Sequence, residues 1–274
     1  MAEDARALIE KLQVKPGERI KLKERDPRDS SMFAGQEETK AATAALAKEI
    51  DALQDRLYAE GARALLVILQ GTDTSGKDGT IRSVFNATGP LGVSVTAFGP
   101  PTKTELAHDY LWRVHAACPR RGTIGIFNRS HYEDVLIGKV RGFASEDAIE
   151  QRYEQINAFE RLLHENGTKV LKFMLHISKD EQKERLEQRL ADPAKHWKFN
   201  PGDLDDRQMW DEYQQAYETM LHRCSTPWAP WHVVPADRKW VRNGVIAAIV
   251  RQVLEDMNPQ YPQVSWKPED FEIV

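Results

Sequence analysis

The chain has 274 residues, 41% hydrophobic and 29% charged, with 16 Gly, 14 Pro and 2 Cys. It can bury a sizeable core, and collagen-like, disordered and disulfide-scaffold classes are excluded. The formal net charge of −4, from 38 basic and 42 acidic residues, argues against a wholly basic, nonspecific nucleic-acid binder but leaves local patches open.

Residues 1–30 mix Lys, Arg, Glu and Asp with Pro16 and Pro27 and read as a loosely structured N-terminal arm with a short leading helix. The opening MAEDARALIEKL carries acids where a secretory signal needs a basic and then an apolar stretch. With Cys118 and Cys224 isolated, a cytoplasmic location is expected. From Ser31 to Gly61 the pattern is helical, with Leu46, Ile50, Leu53 and Leu57 on one stripe and Gly61 as the stop. ALLVILQ at 64–70 is short and wholly apolar up to its last residue, the signature of a strand buried on both faces of a parallel sheet. It also falls far short of the roughly 20 residues that cross a bilayer, so no membrane partner is expected. Further strands are predicted at 93–98, 123–128, 169–177 and 231–236. Helices are predicted at 76–87, 103–117, 145–166, 179–191, 203–223 and 238–257. This alternation predicts an α/β fold, a central five-stranded parallel sheet covered by helices. Residues 31–274 read as a single domain with a lid at about 179–213.

GTDTSGK at 71–77 matches G-x-x-x-x-G-K, placed where a strand ends and a helix opens. Backbone N–H groups of Gly71, Thr72, Thr74, Ser75, Gly76 and Gly79 can form a concave anion site, with Lys77 as a point charge on terminal phosphates. Asp78 replaces the usual magnesium-ligating Ser or Thr, and Asp73 sits inside the loop. An acid among phosphates needs a cation, so Asp73 is a candidate metal ligand or general base; a turn aspartate is the plainer alternative.

The third strand runs into Asn128, Arg129, His131, Glu133 and Asp134. Ligands in open α/β sheets bind beyond the carboxyl ends of strands, so these residues should stand near the phosphate loop. Arg129 offers a planar fork for phosphate oxygens, and Glu133 and Asp134 offer hard oxygen ligands, or simply helix caps. His131 has no second His at ligand spacing and reads as a positioning or packing residue. On 179–190, Arg185 and Arg189 share a helix face. They belong either to an exposed ion-paired helix or to a lid that delivers arginines to phosphates and excludes water. Next come Lys195, Trp197, Lys198 and Trp210; core packing is the first reading for both Trp residues, base stacking the second.

GTDTSGKDGTI, FNRSHYEDVLIGKV, ERLEQRL, KHWKFNPGDLDDRQMWDEY and PWHVVPADRKWVRN follow one another in this order. Together they resemble the second polyphosphate kinase family, the polyphosphate:nucleotide phosphotransferases, over about residues 30–258. The resemblance implies a P-loop kinase-like three-layer α/β/α fold, like that of thymidylate kinase, with a helical lid. It implies transfer of the terminal phosphoryl group of inorganic polyphosphate to a nucleotide, with Mg2+ or Mn2+, in a homo-oligomer (dimer or tetramer). By position, Asp73 and Lys77 match the family's loop acid and lysine, Arg129 its arginine after the third strand, and Arg189 a lid arginine. Many members have Asp where this chain has Asn128. The variant FNRSHYED resembles the branch that accepts both AMP and ADP. The departure puts metal ligation at Asn128 in question and leaves Asp73 and Glu133 as the expected ligands.

The expected reaction is reversible in-line transfer to AMP or ADP, forming ADP or ATP. Asp73 orients the acceptor, and Lys77, Arg129, Arg185 and Arg189 spread the developing charge. Polyphosphate is expected on a track of Arg82, Lys103, Arg113, Arg120 and Arg121, with Lys198 at the lid; solvated surface charge is the default reading for each. Two rivals are an ATP-dependent nucleoside monophosphate kinase and a noncatalytic nucleotide switch. Asp73 and Asp78 speak against the first, and the missing N-K-x-D segment speaks against the second.

Overall fold

The computed structural model describes residues 5–273. Helices α1 (Ala5–Leu12) and α2 (Gln36–Glu60) precede β1 (Ala64–Gln70), followed by α3 (Lys77–Val84), β2 (Val93–Ala97), α4 (Lys103–Leu106), α5 (Trp112–Ala117) and β3 (Ile124–Asn128). Then come α6 (Ile137–Val140), α7 (Glu146–Glu165), β4 (Thr168–His176), α8 (Lys179–Ala191), α9 (Gly202–Gln208), α10 (Trp210–Cys224), β5 (Trp231–Pro235) and α11 (Lys239–Met257). The five strands pair in parallel in the order β2-β3-β1-β4-β5. The expected fold class is thus the observed one. No helix among the described residues is long and apolar enough to cross a membrane.

All seven residues of β1 are buried, as its unbroken apolar run requires of a central strand. One core cluster joins α1, α2, α3 and α11 to one face of the sheet. The other joins α7, α10 and the 3-10 turn His131–Val135 to the opposite face. The chain leaves β1 toward β3 and β2 and later crosses to β4 and β5. The order therefore reverses at β1, and a crevice opens at its carboxyl end. Register pairs Leu69 with Asn128, so the loops after β1 and β3 emerge side by side.

Three expectations need correction. The N-terminal segment is packed rather than loose, although its first four residues lie outside the described range. Leu8, Leu12, Val14 and Leu22 are buried, and Val14 N–H donates to Trp231 O at 2.8 Å. The segment covers the edge of β5, an unpaired strand edge being otherwise a template for aggregation. The helix expected at 103–117 is split. A capping box of Thr102 and Glu105 starts α4, and the Asp109 carboxylate accepts from Leu111 N–H at 3.0 Å in the break. The helix expected at 203–223 breaks at Met209 into α9 and α10. Gly61, by contrast, stops α2 as expected, with φ 63° and its N–H on Leu57 O.

Candidate active site

The loop after β1 adopts conformations that only its sequence permits. Gly71 has φ 155° and Gly76 has φ 102°; a Cβ on Gly76 would lie 1.7 Å from Arg242 Nη1. Thr74 is held left-handed at φ 66°, and its carbonyl accepts from Arg185 Nη1 at 2.8 Å. Lys77 opens α3 and curls back over the loop. Its Nζ donates to Gly71 O at 2.7 Å and Thr72 O at 3.2 Å. Burial, reinforced by the nearby Arg129 charge, pushes its pKa down to about 8 against the opposing pull of Asp73 and Glu133.

Arg129, first after β3, is also left-handed, with φ 62°. This turns its guanidinium toward the phosphate loop, where it donates to Asp73 Oδ1 at 2.5 Å and lies 3.6 Å from Glu133 Oε2. Burial would lower the Arg129 pKa, but Glu133 and Asp73 outweigh it and hold the group charged. Burial raises the Glu133 pKa, with Arg129 and Lys77 partly offsetting it. One planar fork thus serves two carboxylates at the crevice.

Asn128 Nδ2 donates to Asp78 Oδ1 at 2.7 Å, and Lys198 Nζ donates to Asp78 Oδ2 at 3.4 Å. Asp78, which departs from the usual loop hydroxyl, therefore ties α3 to Asn128 and to the segment after α8 that carries Lys198. Arg189 Nη1 donates to Lys198 O at 3.3 Å and Asp203 Oδ2 at 3.4 Å. Asp203 was not singled out in the sequence. Burial, followed by the Asp73 charge, raises its pKa to about 6 against Arg189 and Arg129. A carboxyl with a raised folded pKa contributes stability below its unfolded value, and that contribution is lost as pH rises through about 6. Asp203→Asn should therefore gain melting temperature relative to wild type above about pH 6 and gain none near pH 4. Melting curves at both pH values check this.

Arg185 lines the groove, but its guanidinium is taken up by protein oxygens. Its buried guanidinium donates to Thr74 O, Ala236 O, Asp237 O and Glu181 Oε1, bracing the phosphate loop against the loop after β5. The predicted basic track also differs. Arg120 and Arg121 precede β3, so they stand at the amino edge of the sheet, roughly 16 Å of strand from Arg129. Arg120 stacks on Tyr58 in the last turn of α2. Arg113 donates to Gly99 O at 2.9 Å and stacks on Phe98. Arg82 and Lys103 are exposed.

Other basic residues line the groove that reaches the loop, whose free volume is about 620 Å3. Lys77 comes from the start of α3 and Arg129 from the end of β3, Arg185 and Arg189 from α8, Lys195 and Lys198 from the segment after it, and Lys239 and Arg242 from α11, against Asp73, Asp78 and Asp203. Arg242 is buried and donates to neutral oxygens, Ser75 O and Asn243 Oδ1. Burial, with Arg185 adding to it, lowers its pKa to about 9. A second, narrow slot of about 30 Å3 shares Asp73 and Arg129 with this groove, adds Glu133 and is walled by Leu136, Trp210, Tyr213 and Tyr217. Trp210 thus lines a site as well as packing on the core. Trp197 is 76% exposed, which overturns its core-packing reading.

Residues 34–262 match the family described as Polyphosphate kinase 2 (PPK2). A relative from Meiothermus ruber named "AMP/ADP-polyphosphate phosphotransferase" is 50% identical over 93% of this chain and 96% of its own length. One from Rhodopseudomonas palustris named "ADP-polyphosphate phosphotransferase" is 41% identical over 78% of each chain. The crystal structure of Polyphosphate Kinase 2 from Arthrobacter aurescens TC1 superposes with TM-score 0.93 at 42% identity, covering 98% of this chain and 96% of that one.

Proposed function

The chain belongs to the Polyphosphate kinase 2 family and is a polyphosphate-dependent nucleotide kinase, and we propose that both AMP and ADP are its acceptors. The observation that carries this reading is the basic groove, which runs from Lys239 and Arg242 past Lys77 to Arg129 and Asp73. The name of the Meiothermus relative supports the dual acceptor.

In the proposed reaction an oxygen of the nucleotide's terminal phosphate attacks the end phosphorus of polyphosphate. The new O–P bond forms as the bridging O–P bond breaks, and polyphosphate one unit shorter leaves. The acceptor is ionised near neutral pH, since a phosphate monoester's second pKa is about 6, so no strong base is required. Lys77, Arg129 and Arg189 meet the charge on the transferred oxygens. The lid, tied down through Lys198 and Asp78, excludes water from the reacting phosphorus.

Among the described residues no three His, Cys, Asp or Glu side chains gather into a protein-only metal site. Asp73 and Glu133 together with substrate phosphate oxygens fit Mg2+ (or Mn2+), which takes one or two carboxylates and completes its shell from phosphates and water. Gln70, the last residue of β1, has a buried Oε1 that lacks a protein partner and would offer the ion a neutral oxygen. When bound, the ion would neutralise phosphate charge. We read the enzyme as a cytoplasmic homo-oligomer, dimer or tetramer, with no nucleic-acid or membrane partner.

Lys239→Ala tests the groove. Lys239 is exposed at its edge, so the fold should be unaffected. The polyphosphate KM should rise by about fivefold to tenfold, the loss of roughly one charged contact, with the ADP KM unchanged. An unchanged polyphosphate KM would contradict this track.

A further inference from the structure

Behind the catalytic turn lies a fully buried charged network. Lys172 on β4 and Glu160 on α7 are both fully buried and form an ion pair at 2.5 Å. The three N–H donors of Lys172 are all placed, on Glu160 Oε2, on the Tyr132 hydroxyl at 2.7 Å and on Cys224 O at 2.8 Å. The Tyr132 hydroxyl in turn donates to Glu160 Oε1 at 2.7 Å, and His131 Nε2 lies 3.3 Å from the same oxygen. Burial pushes the Glu160 carboxyl up, but Lys172 and His131 outweigh it and keep it ionised.

Stability alone gives no reason for this arrangement, because a buried ion pair is often no better than a hydrophobic replacement of the same volume. Its placement does give one. His131 and Tyr132 lie between Arg129 and Glu133 in the chain. Arg129 sits in a left-handed conformation, which strains such a residue and persists only where the surroundings fix it. Ser130 anchors the near end of the turn: its Oγ accepts from Gln70 Nε2 and Tyr132 N–H. Glu160 and Lys172 anchor the middle. Cys224 O ends α10, which carries Tyr213 and Tyr217 into the slot beside Arg129. The same ammonium group therefore ties the turn to the slot wall.

We propose that the Tyr132 hydroxyl, Glu160 and Lys172 are positioning residues, which hold the turn so that Arg129 meets the transferred phosphoryl group. This rests on the reading of Arg129 as a cation at the transfer site. Tyr132→Phe keeps the buried ring and removes only the hydroxyl. Its kcat should fall by about tenfold, as for partners that orient a directly acting group. KM for polyphosphate and for ADP should stay within about twofold. In an Arg129→Lys background the same substitution should cost less than about twofold, because the group it positions has gone. Val250→Ala, a core change in α11 far from the turn, serves as the thermal control: it should lower the melting temperature and leave kcat intact. Glu160→Gln, which keeps the side-chain shape, should repeat the Tyr132→Phe pattern and covers the case in which that variant folds poorly. Wild-type kcat in both variants, or an equal loss in both backgrounds, overturns the proposal while leaving the Arg129 reading intact. Wild-type kcat in Arg129→Lys alone overturns that reading and the proposal with it.

Discussion

Lys77→Ala is expected to lower kcat for phosphoryl transfer by about 10^3-fold, the scale of removing a cation aimed at developing charge in a water-excluded site. The side chain is buried and its Nζ donates to loop oxygens, Gly71 O and Thr72 O, so its charge is poorly compensated in the free enzyme. Its lowered pKa records that deficit. Phosphate oxygens would supply the missing negative charge, and the interaction should strengthen as charge builds on the transferred group. The variant should fold at least as stably as wild type, because a buried cation is removed rather than an ion pair broken. Initial rates of ATP formation and a melting curve measure both effects. Turnover near that of wild type would contradict the role given to the loop.

Asp73→Asn is expected to cost about 10^2- to 10^3-fold in kcat and to raise the magnesium requirement, since it deletes one of the two carboxylates proposed as magnesium ligands. Asn keeps the shape and can still accept from Arg129 Nη2, so the defect is one of charge. Arg129 would then face Glu133 alone, 3.6 Å away, and the guanidinium would swing toward it. A magnesium titration of the initial rate separates the two consequences. Full activity at an unchanged magnesium requirement would exclude Asp73 as a ligand.

What could be read in the chain was local. β1, the phosphate loop and the residues after β3 are each specified by a few adjacent positions, and the parallel alternation fixes that both strand ends meet at one crevice. Three things required the tertiary structure. Arg120 and Arg121 are close to Arg129 in sequence, but an intervening strand carries them to the opposite edge of the sheet. Arg185 and Arg189 share a helix face, yet one is buried on carbonyls of two loops and the other meets Asp203. Arg242 belongs to the last helix and reaches the loop only because α11 packs beside α3. It left a trace in the sequence: a lone arginine among the apolar residues of an otherwise buried helix, Val241 to Val250, is costly unless something anionic approaches it.

The slight overall excess of acids is compatible with a polyanionic substrate because the charges are segregated. Lys77, Lys195, Lys198, Lys239 and Arg242 converge on the groove, while acids such as Glu37, Glu49 and Glu150 lie exposed on outer helices.

Donor choice tests the central claim most directly. The purified enzyme is incubated with ADP, polyphosphate and Mg2+ and no added nucleoside triphosphate, and new ATP is measured over time; a parallel reaction replaces ADP with AMP and follows ADP. ATP should appear in the first reaction in step with polyphosphate consumption, and ADP and then ATP in the second. Inert polyphosphate, with AMP phosphorylated only when ATP is supplied, would contradict the account.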